Sequence, residues 1–167
     1  MGAIEKMTLI GLLIALKKFF IAGCADLILS ARDGQEKAPD VAIGWPKAKE
    51  AGDSSPSYPY IIIRPTEYTD ETGSDAESKM KVQIILGAYG EGEDGLIELL
   101  NLSERVRQLL QINGPIENKY RMDPTYKWGL IIDEQTAGFG PIWNAVVTTE
   151  WDMQTVFEQS KYTLKAR

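Results

Sequence analysis

The sequence predicts an α+β domain in which a four-stranded, mainly antiparallel sheet carries two main helices on one face. Three observations predict this fold class. Apolar residues recur at helical spacing in two segments, and they alternate with other residues in two long segments. The elements follow one another as helix, strand, strand, helix, strand, strand, with no internal repeat. Residues 1–152 therefore form one predicted domain, and residues 153–167 form a polar C-terminal tail.

The first helix is predicted over residues 3–22, and Gly23 can end it. Ile10 and Ile14 lie on a different side of this helix from its main apolar stripe, so the helix is apolar around most of its circumference. We expect one side to face the sheet and another to face a neighbouring subunit. The main stripe consists of Leu9, Leu12, Leu13, Leu16 and Phe20.

The apolar run inside this helix, residues 7–16, raises the question of membrane targeting. A transmembrane helix needs about 20 apolar residues, and this run has ten. It also lacks the basic flank and the cleavage site of a secretory signal. The sequence therefore predicts a cytoplasmic protein with a buried first helix and no membrane contact.

Four strands and a second helix account for most of the remaining chain. In the second strand, alternate residues from Met80 to Ala88 are predicted to face the core. The second helix has an apolar stripe and a strong stop signal, Asn113-Gly114-Pro115. The proline- and glycine-rich segment 30–59 is predicted to be mostly loop, with a possible short edge strand at 41–45. The strands are predicted at 60–64, 79–89, 128–133 and 142–152, and the helix at 96–112.

The connections between strands supply the predicted contact surfaces. Residues 66–78 form an acidic stretch, interpreted either as a solvated hairpin loop or as an arm that touches a neighbour. The connection 134–141 is the second predicted docking loop. The candidate interface residues are Glu67, Asp70, Glu71, Asp75, Phe139, Leu9 and Leu16.

Composition and motifs argue against catalysis. The chain has 167 residues, of which 44% are apolar, and a net charge of -6, which disfavours gripping a nucleic-acid backbone. Cys24 is the single cysteine, predicted to be buried and inert, and the chain has no histidine. The segment GEGEDG lacks the lysine of a phosphate-binding loop and the spacing of a calcium loop, and no GxSxG motif occurs. We therefore predict no catalytic residue, no cofactor and no metal.

The order and character of the segments resemble a known family. The quoted segments are YPYIIIRP at 58–65, KMKVQIILGAYG at 79–90, the NGP stop, and WNAVVTTEWD at 143–152, behind an N-terminal apolar helix and a proline-rich loop. This arrangement resembles the tail terminator, or tail-completion, proteins of long-tailed phages and phage-derived contractile particles. The related tail-to-head joining proteins share that fold. The long loop at 30–57 is an elaboration of the pattern.

The resemblance implies a function that depends on shape. Six copies would form a ring on the last ring of tail tube protein, stop tube growth and present a docking surface to the neck or connector protein. In a contractile particle the ring would also contact the sheath protein, and DNA would only pass through the lumen, where Asp70, Glu71 and Asp75 could keep it mobile. The protein would be made in the host bacterial cytoplasm and would end in the virion or tail-like particle.

Three alternatives remain open from the sequence. A neck protein that joins head to tail would have the same fold. A small enzyme with a pair of carboxylates is a second alternative, since such pairing is spatial. A monomeric ligand-binding module built on the four tryptophans is the third, although a tryptophan at a core-facing strand position more often serves packing.

Overall fold

A computed structural model describes residues 8–46, 57–71, 77–112, 114–123, 128–133 and 141–153. The predicted α+β class is confirmed, with two helices among the described residues. Helix α1 spans Leu9–Gly23 and helix α2 spans Gly92–Ile112. The strands are β1 (Leu29–Ser30), β2 (Glu36–Lys37), β3 (Asp40–Ile43), β4 (Tyr60–Asp70), β5 (Ser78–Tyr89), β6 (Arg121–Met122), β7 (Leu130–Ile132) and β8 (Ile142–Met153).

The prediction of a four-stranded antiparallel sheet is wrong in detail, because the main sheet has six strands and is mixed. Its order is β3-β4-β5-β8-β6, and β7 also pairs with β8. Strand β3 runs parallel to β4, whereas the other pairs are antiparallel. Strands β1 and β2 form a separate antiparallel pair. Of the two extra members, β3 confirms the short edge strand predicted at 41–45, with its bounds shifted to 40–43. Strand β6 has two residues, too few to show a periodicity in the sequence.

Strand β4 is longer than predicted. The expected loop at 66–78 is wrong for residues 66–70, which continue the strand and stay paired with β5 as far as Asp70 and Ser78. The register shifts between Pro65 and Glu67, and such a bulge lets an antiparallel ladder continue beyond a proline. Residues 72–76, including Asp75, lie outside the described residues.

Helix α1 begins with a side-chain cap and ends where the sequence predicts. The Thr8 hydroxyl accepts a hydrogen bond from the Gly11 amide at 2.9 Å. The helix ends at Gly23, and the Cys24 amide donates to the Phe20 carbonyl at 3.0 Å. Residues 3–7 of the predicted helix lie outside the described residues.

One hydrophobic core lies between the sheet and the two helices. The predicted core face of β5 is confirmed, because its five alternate residues from Met80 to Ala88 are all buried. They pack in one cluster with Leu12, Leu16 and Phe20 of α1 and with the apolar stripe of α2. Both helices therefore cover the same face of the sheet, as predicted. Met153, placed in the polar tail by the sequence, is the buried last residue of β8, and residues 154–167 lie outside the described part of the chain.

Cys24 is buried, with 1% of its surface exposed. Burial raises the pKa of its thiol from 9.0 to about 11, an effect that Arg105 partly opposes and Asp26 reinforces. At pH 8 this shift lowers the thiolate fraction about 100-fold. We expect a thiol reagent at pH 8 to label the folded protein at least about 100-fold more slowly than the protein unfolded in guanidinium. Equal labelling rates in the two states would contradict a closed core at this position.

Candidate interaction surfaces

Helix α1 has an exposed apolar side opposite its core side. Ile10, Ile14 and Ile21 are 69%, 43% and 50% exposed, and Leu9 also lies at the surface. Helical geometry places Ile10, Ile14 and Ile21 along one side of the helix. The expectation that α1 is apolar on more than one side is therefore confirmed, and its outer side has no covering element among the described residues.

The structure corrects the placement of Leu16 among the interface candidates. Leu16 has no exposed surface and belongs to the core cluster, together with its helical neighbours Leu12 and Phe20. Its side chain faces the sheet, so it can contact a neighbouring subunit only if the helix detaches. The sequence placed Leu9 and Leu16 on one stripe, but the rotation of α1 against the sheet leaves only Leu9 at the surface.

The sheet face that the helices leave open has an apolar row across five strands. Register places Ala42, Ile62, Ile85, Val146 and Ile131 side by side from β3 to β7. Residues paired in this way point to the same face of a sheet. Burial decreases along the row, because Ala42 and Ile62 are buried, Ile85 and Val146 are half-buried, and Ile131 is 71% exposed.

A tyrosine cluster borders this row. The Tyr60 hydroxyl donates to Asn144 Oδ1 at 2.6 Å, and its ring lies over Gly87, where a side chain would overlap it. Tyr58 packs against Tyr60 and Tyr89, with ring centroids 4.8 and 6.3 Å apart. Burial, and next the neighbouring Tyr58, raise the pKa of Tyr60 well above its usual range. The cluster is a packed, uncharged part of the open face.

The end of the β4–β5 hairpin has an acidic surface. Glu67 pairs with Lys81 at 3.1 Å, Asp70 accepts a hydrogen bond from Ser78, and the Glu71 amide donates to the Glu77 carbonyl at 3.1 Å. Residues 66–71 are all exposed. Three of the candidate interface residues, Glu67, Asp70 and Glu71, thus lie together at the exposed end of strand β4 and just beyond it. We call residues 66–71 and 77–78 the acidic arm.

Lys79 forms ion pairs with several carboxylates beside the arm. Its ammonium group lies 3.2 Å from Asp123 and 4.0 Å from Glu77, and it also bonds Asp152. The hydrogen bond to Asp152, the largest contribution, raises the pKa of Lys79 beyond its usual range despite partial burial. The cation stays charged, so the cluster is an ion-pair network that connects β5, β8 and the residue after β6.

The tryptophans divide between core and surface. Trp151 is buried, Trp143 and Trp128 pack against the core cluster, and Trp45 is 75% exposed with the Arg64 guanidinium 4.3 Å from its ring. Trp151 also lines a cavity beside helix α1. Phe139 and the other residues from 134 to 140 of the second predicted docking loop (134–141) lie outside the described residues.

The described residues also bear on other classes of site. They contain no group of three or more His, Cys, Asp or Glu side chains placed to hold a metal ion. Within the same residues, neither helix combines the length and the apolar character needed to cross a bilayer. No protein-family model matches the chain, and no curated protein matches it.

The sequence did not indicate the row on the open face, the tyrosine cluster or the Lys79 network. Each brings together residues far apart in the chain, such as Tyr60 with Asn144 and Lys79 with Asp152. The clearest available signal was the alternation in β8, where Val146 and Ile142 interrupt an otherwise polar outer face. That pattern indicates a strand with apolar residues on both sides.

Proposed function

We propose that this chain is a structural subunit of a ring that caps the head-proximal end of a phage-type tail tube. The ring would stop tube growth and dock the neck or, in a contractile particle, the sheath. It would act by contact alone, without a catalytic site or cofactor. Six-fold symmetry and the tube, neck and sheath as partners are what the family resemblance implies.

One observation carries the proposal, namely two unlike apolar surfaces on opposite layers of the domain. The outer side of α1 exposes Ile10, Ile14 and Ile21, and the open face of the sheet exposes Ile131. A closed ring of identical subunits needs a head-to-tail contact between two different surfaces of each copy. Burying one isoleucine side chain contributes about 1.5–3 kcal/mol, so both surfaces offer a substantial gain on assembly.

A test combines sedimentation velocity over a concentration series with negative-stain images of the protein alone and bound to tail tubes. We expect a discrete assembly of six copies of the 18.6-kDa chain, seen as rings, at high concentration or at tube ends. Protein that stays monomeric throughout and is absent from tube ends would overturn the proposal. Rings found only between head and neck would identify the joining protein of the same fold instead.

Variants can show whether the two surfaces matter. Ile10→Glu and Ile131→Glu each place a charge on one surface, and each should weaken assembly, because burial of an unpaired charge is costly. The matched control is Ile112→Glu, since Ile112 is 77% exposed at the end of α2 and lies on neither surface. Equal loss of assembly in the control would show that the effect does not depend on these two surfaces.

A further inference from the structure

A continuous groove runs beside α1. Three adjoining cavities of about 370, 420 and 410 Å³ share lining residues, with Phe19 and Ile116 common to the first two and Ala15 and Lys18 common to the second and third. One wall is α1 from Thr8 to Phe19, which spans about 16 Å at 1.5 Å per residue. The other wall is formed by residues 114–123. We call this the α1 groove.

The floor of the groove is apolar and its α1 wall is cationic. Ile116 and Trp151 contribute to the floor and are buried. The charged residues of α1 are Lys17 and Lys18, with no acid in the helix, and Lys18 is exposed at the groove. Lys119 and Arg121 add cations on the opposite wall, which also contains the acidic Glu117 and Asp123. In a chain of net charge -6 this is a locally positive surface, and it favours an acidic partner.

The acidic arm has the complementary character. Its described residues include Glu67, Asp70, Glu71 and Glu77 and no basic residue. Tyr68 adds an aromatic side chain, 41% exposed, and aromatic side chains commonly anchor interfaces in apolar pockets. Residues 66–70 extend about 17 Å as a strand, close to the length of the groove.

None of the described arm residues lines the groove of its own subunit. The arm belongs to the hairpin of β4 and β5, and the groove wall continues into β6. Strands β5 and β8 separate β4 from β6 in the sheet, and their ladders hold the arm in the sheet plane. The occupant with matching charge and length is therefore the arm of another copy.

We infer that the acidic arm of one copy docks in the α1 groove of the next copy, with Glu71 near Lys18 and Tyr68 toward the apolar floor. This inference rests on the proposed ring function, because it assigns the head-to-tail contact that a ring requires. Since Ile14 of the exposed side of α1 also lines the groove, the contact would cover part of that apolar surface.

Charge reversal tests the pairing. Lys18→Glu and Glu71→Lys, each alone, should raise the concentration needed for half-assembly at least about 5-fold, and the double variant should return it toward the wild-type value. The matched control joins Lys18→Glu with Glu36→Lys, because Glu36 is an exposed acid on β2 outside the arm. This control should assemble no better than Lys18→Glu alone.

Disulfide trapping gives a second readout. The chain's own thiol, Cys24, is buried, so a variant with both Lys18→Cys and Glu71→Cys should form a ladder of crosslinked chains under copper–phenanthroline oxidation. A variant with Lys18→Cys and Glu36→Cys should not. Normal rings with no rescue and no ladder would overturn the docking inference and leave the ring proposal standing. A wild-type protein that never assembles would overturn both.

Discussion

Replacing Trp151 with alanine is expected to lower the free energy of unfolding by about 3–5 kcal/mol. Trp151 is 2% exposed and lies in the core cluster between β8 and the helices. Its indole nitrogen donates to the Thr149 hydroxyl at 2.8 Å, and that hydroxyl donates to the Val82 carbonyl at 2.8 Å. The substitution removes the largest buried side chain. It leaves a cavity between the sheet and the helices, and the helices cannot easily move to fill it. Urea denaturation followed by circular dichroism measures the loss.

The matched control for this prediction is Trp45→Ala. Trp45 is the same residue type but is 75% exposed, and its described partner is the Arg64 guanidinium. We expect the free energy of unfolding to fall by less than about 1 kcal/mol. Similar losses in the two variants would mean that Trp151 is not in a close-packed core.

Replacing Gly95 with alanine is expected to lower the free energy of unfolding by about 2–3 kcal/mol. Gly95 lies in α2, where alanine is favoured over glycine by up to about 1 kcal/mol. Helix propensity alone therefore predicts a gain. Packing predicts a loss, because an added methyl group would overlap the Gly90 carbonyl oxygen and the Trp143 indole. Both neighbours are held in place, since the Trp143 indole donates to that carbonyl at 3.1 Å.

The sign of the change decides between these two effects, so the measurement needs only a comparison of urea midpoints. Gly114→Ala serves as the control, because an added methyl group there meets no atom within 4 Å. We expect that variant to stay within about 0.5 kcal/mol of the wild type. A Gly95→Ala protein at least as stable as the wild type would show that α2 and β8 are not in close contact at this point.

Much of the fold could be predicted from local patterns. The two helices follow from apolar residues that recur about every 3.6 residues, and the core face of β5 follows from apolar residues at every second position. Such spacing arises wherever one side of a helix or strand is buried. Strand β8 was also predictable, because Ala145, Val147, Thr149 and Trp151 alternate with half-buried residues. The parallel pairing of β3 with β4 was not, since it depends on residues 20 positions apart in a segment with weak periodicity.

The candidate site was predicted less completely. The acidic stretch at 66–78 is interpreted from the sequence as a solvated hairpin loop or a contact arm, whereas in the structure Thr66–Asp70 extends a strand. The α1 groove was not predicted, because its walls come from residues 8–19 and 114–123. Their proximity depends on how the segment after α2 returns to the edge of the sheet. Local sequence patterns carry little information about such non-local contacts.

The sequence by itself determined which residues of this protein are apolar and the spacing at which they recur. That spacing determines the helices, the long strands and the side of each strand that faces the core. Only the tertiary structure decided which apolar residues stay at the surface. Leu16 and Ile14 lie in the same helix and are similar in hydrophobicity, yet one is fully buried and the other is 43% exposed. The physical reason is that the hydrophobic effect has no direction of its own, so the rotation of α1 on the sheet is fixed by close packing against β3 and β4.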